Sequence, residues 1–85
     1  MECFCYILKC SDGSYYTGWS RDPARRLVEH NRGRGAKYTR SRLPVQLVYV
    51  ESCPDVSTAL KRERALKALS HTQKEKLSVE KILPD

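Results

Sequence analysis

Residues 4–20 read FCYILKCSDGSYYTGWS, and this stretch decides the fold of the first part of the chain. Residues 4–10 and 15–20 are rich in aromatic and β-branched side chains, a composition typical of β-strands. The sequence Ser-Asp-Gly-Ser between them is typical of a tight turn. The pattern therefore predicts a β-hairpin.

The length of the turn decides which side chains of this hairpin share a face. A two-residue Asp-Gly turn places Tyr6 and Tyr16 on opposite faces of the sheet. A three-residue loop, with Gly13 in the left-handed position of a G1 bulge, sets Leu8 opposite Tyr16 and brings both tyrosines to one face. A site that uses both tyrosines therefore requires the three-residue loop.

A helix is predicted directly after the hairpin. Asp22 is a favourable N-cap, and Pro23 suits the first helical position. The helix is expected to run to about Asn31, a residue that either fixes the helix end or joins a site. Its predicted inward-facing side chains are Ala24, Leu27 and Val28.

The second half of the chain predicts one strand and two helices. Residues 46–51 (QLVYVE) have the composition of a strand. A helix follows over about residues 57–69, capped by Ser57 or Thr58. A last helix is expected over residues 72–82, and its predicted inward-facing side chains are Leu77 and Ile82.

This order of elements, β-β-α-β-α-α, predicts an α+β fold in which a short three-stranded antiparallel sheet is flanked by three helices. A chain of 85 residues has room for one small domain, and its 40% hydrophobic content supports one core. We expect a single domain over residues 1–85, with a core of about residues 3–76. No apolar run is long enough for a signal peptide or a membrane span.

The four cysteines do not form a metal-binding or disulfide pattern. There is no C-x-x-C pair, and Cys3 and Cys5 are poorly placed within one strand to bridge each other. We expect structural free thiols and a reducing, cytoplasmic location.

The positive charge of the chain is concentrated in one segment. The formal net charge is +6, and residues 21–42 contain eight basic residues and two acidic ones, which accounts for the whole excess. Such a concentration favours a polyanion through phosphate contacts and counterion release. The alternative is a basic face that only confers solubility. Residues 32–44 (RGRGAKYTRSRLP) form a long glycine-containing loop, which in so small a domain indicates function.

Glu63 is an unexpected residue at its position in the second helix. At about 100° per residue it falls near the centre of the stripe formed by Val56, Ala59, Leu60 and Leu66. A carboxylate on an apolar face is costly unless it is paired or bound to metal. A metal ion and a salt bridge to an arginine both satisfy this requirement, and the helix pattern alone does not distinguish them.

Tyr6 and the triplet Tyr16-Thr17-Gly18, ten residues later, resemble the two-part signature of the GIY-YIG endonuclease superfamily. Arg26 and His30 match the arginine and histidine of the following helix in that family, and Glu63 matches its metal-binding glutamate. The loop HNRGRGAKYTR and the strand LVYVE resemble the small stand-alone bacterial members. The resemblance runs to about Lys76. The first triplet departs from the signature, because Phe4-Cys5-Tyr6 lacks its glycine and isoleucine.

The resemblance implies a metal-dependent endonuclease that hydrolyses phosphodiester bonds, with DNA favoured as substrate and RNA not excluded. Glu63 then holds one Mg²⁺ or Mn²⁺ ion, and Arg26 contacts phosphate oxygens. Tyr6 is favoured as the general base, and the opposite allocation to Tyr16 stays open. The implied catalytic residues are Tyr6, Tyr16, Arg26, His30 and Glu63.

Two further sets of residues are assigned by the same interpretation. The expected nucleic-acid contacts are Arg25, Arg34, Lys37, Tyr38, Thr39, Arg40 and Arg42, with Tyr38 able to stack on an unpaired base. Gly13 and Gly18 are expected in structural turns. A partner protein is possible for targeting, because one small domain offers few contacts of its own. The rival hypothesis is a nucleic-acid-binding module that keeps this fold but does not cut.

Overall fold

A computed structural model of the protein describes residues 2–82 and confirms an α+β fold around a three-stranded antiparallel sheet. The strand order is β2-β1-β3, so the first strand is central. The elements are β1 (Cys3–Lys9), β2 (Tyr15–Ser20), α1 (Pro23–Asn31), α2 (Lys37–Arg40), β3 (Gln46–Cys53), α3 (Val56–Lys67) and α4 (His71–Ile82). The short helix α2 is additional to the three predicted helices, because a single turn of four residues is too short to show apolar periodicity.

The hairpin has the three-residue loop. The Cys10 N–H donates to the Ser14 carbonyl at 2.8 Å, and Gly13 has a φ of 85°. Leu8 is paired with Tyr16, and Tyr6 is paired with Gly18. Because side chains alternate along a strand, Tyr6 and Tyr16 therefore lie on the same face of the sheet.

The sheet carries helices on both faces. On one face, Cys3 and Cys5 pack with Ala59 and Leu66 of α3, and Leu77 of α4 packs against this cluster. On the other face, a second cluster includes Leu27 of α1; its buried members are Tyr6, Leu8, Cys10 and Val45. Leu77 thus lies inward as predicted, whereas the side chain of Ile82 is outside the described residues.

Helix α1 has the predicted ends but not the predicted buried face. The Asp22 carboxylate accepts from the Arg25 N–H at 3.1 Å, as expected for an N-cap. Ala24 is exposed and Val28 is 46% exposed, so the expectation that both are buried is wrong. Leu27 is half-buried, and His30 is the fully buried residue. A helix of nine residues contacts the sheet through one narrow stripe, and Leu27 and His30, three apart, occupy it.

Helix α3 begins and ends earlier than expected. Its N-cap is Asp55, whose carboxylate accepts from the Thr58 N–H at 2.7 Å, so neither Ser57 nor Thr58 is the cap. Leu60 is 46% exposed and does not belong to the inward stripe. That stripe has the spacing i, i+3, i+7, i+10 and consists of Val56, Ala59, Glu63 and Leu66.

Asn31 connects the end of α1 to the start of β3. Its side-chain oxygen accepts from the Val45 N–H at 2.8 Å, and its side-chain amide donates to the Val45 carbonyl at 3.0 Å. These two bonds show that Asn31 fixes the helix end rather than joining the site. They also bring the two ends of the intervening basic loop, residues 32–44, close together.

The four cysteines are free thiols and all are buried, as predicted. The Cys5 thiol donates to the Ala59 carbonyl at 3.1 Å, so it is used in packing α3 onto the sheet. Among residues 2–82, no helix has the length and apolar character needed to cross a bilayer.

Candidate functional site

The ring of Tyr6 lies over Gly18 on the edge strand β2. A Cβ added to Gly18 would lie 2.7 Å from the Tyr6 hydroxyl oxygen and 3.2 Å from the Tyr16 ring. Gly18 therefore leaves the space in which the two tyrosines meet. The expectation that Gly18 belongs to a turn is wrong, since it lies within β2, paired with Tyr6 of the central strand. Gly13, in contrast, is a turn residue as predicted.

Three buried side chains form a continuous chain of hydrogen bonds behind this pair. The Tyr6 hydroxyl is 3.2 Å from His30 Nε2, and His30 Nδ1 is 2.9 Å from Thr39 Oγ1. The Thr39 hydroxyl donates to the Ala36 carbonyl at 2.9 Å. Tyr6 is 1% exposed, and His30 and Thr39 are completely buried.

The basic loop is shaped around the His30 ring. A Cβ on Gly35 would lie 2.2 Å from His30 Nδ1, so only glycine lets the loop backbone pass this close. Thr39 is buried against the same ring, and the expectation that it contacts nucleic acid is therefore wrong. The sequence offered no signal for this role of Gly35, because a glycine in a polar loop does not reveal which side chain it accommodates.

Tyr16, Tyr38 and Arg42 form a stack beside the Tyr6–His30 pair. The Tyr16 and Tyr38 rings are 6.2 Å apart and nearly parallel, and the Arg42 guanidinium lies 3.9 Å from the centre of the Tyr38 ring. Arg42 also donates to an Asp12 carboxylate oxygen at 3.1 Å. Its charge is thus paired and it covers one face of Tyr38, so Arg42 ties the basic loop to the hairpin.

Arg26 interacts with the Tyr6 hydroxyl from the exposed side of the site. Its side chain is 34% exposed and forms an ion pair with Glu29 at 3.2 Å. Burial opposes the charged form of Arg26, but hydrogen bonding to Glu29 and Tyr6 outweighs burial and raises its pKa. Arg26 therefore stays protonated and presents a forked donor at the edge of the site.

The protonation of Tyr6 and His30 is set mainly by burial. Burial and the nearby Tyr16 raise the pKa of Tyr6 to about 12, although Arg26 works in the opposite direction. Burial, and then the positive charge of Arg26, lower the pKa of His30 below its ordinary 6.5, with Glu29 opposing them. The resting site therefore contains a neutral phenol and a neutral imidazole.

The buried neutral state of His30 predicts a pH dependence of stability. Below about pH 6.5 the unfolded chain takes up a proton on His30 that the folded protein does not. We therefore expect the free energy of unfolding to decrease as pH falls from about 7 to about 5, by at most about 1.4 kcal/mol per pH unit. Urea unfolding at several pH values measures this slope.

The His30→Gln variant is the control for this prediction, and its slope in the same window should be flatter. Asp12 and Asp55, whose pKa values are lowered from 3.8 by hydrogen bonds from Ser14 and Thr58, lose their contribution only at more acidic pH. An equal slope in the parent and in His30→Gln would contradict the assignment to His30.

Glu63 approaches the site from the other face of the sheet. Helix α3 packs on the face of Cys5, whereas Tyr6 and Tyr16 project from the opposite face, so the expectation that Glu63 shares their face is wrong. The charge of Glu63 nevertheless raises the pKa of Tyr6, so the two groups interact electrostatically. The Glu63 side chain is 20% exposed, with Lys67 at 3.7 Å.

The donor set around Glu63 suits only a largely hydrated cation. Among the side chains that the structure describes, residues 2–78, no group of three histidine, cysteine or acidic residues is arranged to hold a metal. A single partly exposed carboxylate is compatible with Mg²⁺ or Mn²⁺, because Mg²⁺ keeps several water ligands and often binds only one or two carboxylates.

The exposed part of the basic segment borders this site. Tyr38 is 39% exposed. Four of the predicted nucleic-acid contacts are exposed and form no ion pair with the side chains described in residues 2–78: Arg25, Arg34, Lys37 and Arg40. These side chains leave a free positive surface on the basic loop and on α1.

Comparison with known proteins places this geometry in a family. The model of the GIY-YIG catalytic domain matches residues 2–76. A UPF0213 protein of Halobacterium salinarum is 54% identical over 72 residues, covering 85% of this chain and 94% of the relative. A UPF0213 protein of Staphylococcus saprophyticus is 53% identical over 74 residues, covering 87% of this chain and 90% of the relative.

Solved structures agree with this relationship. The solution structure of a UPF0213 protein from Bacillus halodurans has a TM-score of 0.60 and 44% identity, and the match covers 99% of this chain and 89% of the Bacillus halodurans chain. The solution structure of a protein from E. faecalis has the same TM-score and 45% identity, and the match covers 89% of this chain and 81% of the other. The chain therefore belongs to the GIY-YIG nuclease family and, within it, to the small UPF0213 proteins.

Proposed function

We propose that this protein is a divalent-metal-dependent endonuclease that hydrolyses phosphodiester bonds in nucleic acid, with DNA as the favoured substrate. The observation that carries the proposal is the position of Tyr6, which is hydrogen-bonded to a buried neutral His30 and whose pKa responds to the charges of both Arg26 and Glu63. Binding alone does not require a carboxylate beside such a cluster, since a carboxylate repels phosphate unless a cation intervenes.

The proposal assigns phosphate binding to Arg26 and to the free basic residues around the site. The Arg26 fork suits two phosphate oxygens and stabilises the charge that develops on the pentavalent phosphorus. Arg25, Arg34, Lys37 and Arg40 bind neighbouring phosphates along the strand. Thr39 has no place in this set, because its hydroxyl is buried and already hydrogen-bonded within the protein. Arg42 is 32% exposed and stays in the set as a residue whose ion pair with Asp12 a phosphate would replace.

Tyr16 is the better candidate for the group that meets the attacking water. Tyr6 is fully buried, its hydroxyl is hydrogen-bonded to His30, and its pKa is raised, so it is poorly suited to accept a proton from solvent. Tyr16 is half-buried on the edge strand next to it. In the proposed reaction the Tyr16 oxygen takes a proton from the attacking water and passes its own proton to solvent. The water oxygen bonds to phosphorus, the bond to the 3′-oxygen breaks, and that oxygen takes a proton from solvent.

Glu63 is proposed to hold the metal ion, Mg²⁺ or Mn²⁺, and its Lys67 partner is displaced when it does. Nucleases of this family generally use divalent metals, and a bound ion supplies Lewis-acid stabilisation of the phosphate and of the departing oxygen. Residues 1–85 are proposed to act as a single domain, whose few contacts favour local strand features or delivery of substrate by a partner protein.

The test is incubation of the purified protein with single-stranded, duplex and branched DNA and with RNA, each with Mg²⁺, Mn²⁺ or a chelator. We expect metal-dependent cutting of at least one DNA substrate and none with chelator. A salt-sensitive shift in electrophoretic mobility without cutting of any substrate would instead identify a binding module that keeps the nuclease fold.

A further inference from the structure

The buried chain of hydrogen bonds behind Tyr6 has a direction that is set at its far end. The Thr39 hydroxyl has one proton and donates it to the Ala36 carbonyl at 2.9 Å. Its oxygen must therefore accept in its contact with His30 Nδ1, also at 2.9 Å. His30 Nδ1 consequently carries a hydrogen.

The proton on Nδ1 determines what His30 does at its other nitrogen. A neutral imidazole has a single N–H, so Nε2 is a bare acceptor. The Tyr6 hydroxyl, 3.2 Å from Nε2, is then the donor of that bond. The lone pairs of the Tyr6 oxygen are left for its other polar neighbour, the Arg26 guanidinium, which can only donate.

We propose that Thr39 is a positioning residue that selects the Nδ1-protonated tautomer of His30 and thereby orients the Tyr6 hydroxyl to accept from Arg26. The consequence for cutting rests on the proposed nuclease function, whereas the tautomer itself does not. Thr39 touches neither substrate nor metal in this scheme and acts only through His30 and Tyr6.

The opposite tautomer of His30 would change the hydrogen bonding of the Tyr6 hydroxyl. With the hydrogen on Nε2, His30 donates to the Tyr6 oxygen, and the Tyr6 proton turns away from it. In that orientation the Tyr6 hydroxyl hydrogen faces the Arg26 side of the site. The Arg26 guanidinium can only donate, so the two donors repel each other. Arg26 then loses its interaction with Tyr6 and is held by Glu29 alone.

The position of Thr39 allows its hydroxyl to be tested separately from its shape. The side chain is completely buried, so valine keeps its volume and removes only the donor and acceptor. Alanine removes the hydroxyl and the methyl group, whereas serine keeps the hydroxyl. Serine is thus the conservative variant expected to restore the parent's behaviour.

The tautomer is measured directly on the whole protein by long-range ¹H–¹⁵N NMR of the imidazole nitrogens, with His30→Gln used to assign the signals. We expect protonated Nδ1 and bare Nε2 in the parent and in Thr39→Ser. Thr39→Val and Thr39→Ala should show the other tautomer or a mixture, and either variant suffices if the other does not fold. A parent protonated on Nε2, or an unchanged tautomer in the folded hydroxyl-free variants, would overturn the proposal.

Cutting assays on the same variants test the consequence. Thr39→Val should lower kcat on the order of 10- to 100-fold, as loss of an outer-shell partner does at metal sites. Nucleic-acid affinity should fall less than kcat does, because the exposed residues Arg25, Arg34, Lys37 and Arg40 keep their phosphate contacts, and Thr39→Ser should restore kcat. A parent that never cuts would refute the nuclease function and leave the NMR result intact, whereas parental kcat in a Thr39→Val protein with an altered tautomer would refute the link to Arg26.

Discussion

Replacing Glu63 by glutamine is expected to lower metal-dependent cutting by at least about 10³-fold while leaving nucleic-acid binding intact or slightly tighter. Glutamine keeps the shape of the side chain but loses the charge that a hydrated Mg²⁺ or Mn²⁺ requires. Removing a negative charge beside a phosphate site does not weaken the phosphate contacts. The measurement is single-turnover cutting across a range of Mg²⁺ concentrations, with affinity determined separately in Ca²⁺ or chelator.

Two matched variants separate this effect from a structural one. Glu75→Gln makes the same chemical change at an exposed position of α4 and should leave cutting unchanged. Lys67→Gln removes the ion pair of Glu63 but keeps its carboxylate, and because Lys67 is 55% exposed we expect less than about 1 kcal/mol of lost stability. If Lys67→Gln abolished cutting as completely as Glu63→Gln, the ion pair and not a metal would be the function of Glu63.

Replacing Gly35 by alanine is expected to disrupt the site through a steric clash alone. The new methyl carbon would lie 2.2 Å from His30 Nδ1 and 2.6 Å from Cγ, well inside van der Waals contact. The His30 ring is buried and hydrogen-bonded at both nitrogens, so it has no free space to move into. We expect a loss of about 1–3 kcal/mol of stability together with a loss of cutting.

Gly33→Ala is the control for Gly35→Ala because it lies two residues away in the same loop. Gly33 has a φ of 76°, which strains any other residue, but an added Cβ meets nothing within 4 Å. This variant should lose about 1–2 kcal/mol of stability and retain kcat. Thermal unfolding and single-turnover cutting below the unfolding temperature measure both. Full kcat in Gly35→Ala would show that the position of the His30 ring does not matter for cutting.

The elements with strong local signals could be predicted from the sequence. The hairpin, the Asp22 cap and the ends of α1 are determined by turn and capping residues that act within a few positions, whereas the length of the hairpin turn is left open by the sequence. The errors lie where a short helix meets the rest of the protein. The apolar pattern predicts Val28 and Leu60 on buried faces, yet both are exposed because each helix contacts the sheet through a narrow stripe.

The same distinction between local sequence pattern and tertiary contact holds for the candidate site. The residue types of the site follow from the sequence through its resemblance to the family, including a glutamate on an otherwise apolar stripe. The partners of those residues do not, because His30 and Thr39 are nine positions apart and meet only when the basic loop folds back over α1. Local patterns do not encode which buried polar groups satisfy each other across a loop.

The hairpin stretch at residues 4–20 illustrates how far the sequence determined this protein by itself. Its composition predicts the hairpin but leaves two turn lengths open, and the structure has the three-residue loop that places Tyr6 and Tyr16 on one face. Only the tertiary structure decided that the Tyr6 hydroxyl is buried against His30 and that Glu63 approaches from the other face of the sheet. The physical reason is the distance along the chain over which each effect acts. Turn and strand preferences act between residues that are neighbours in sequence, whereas burial and charge act between segments that packing brings together.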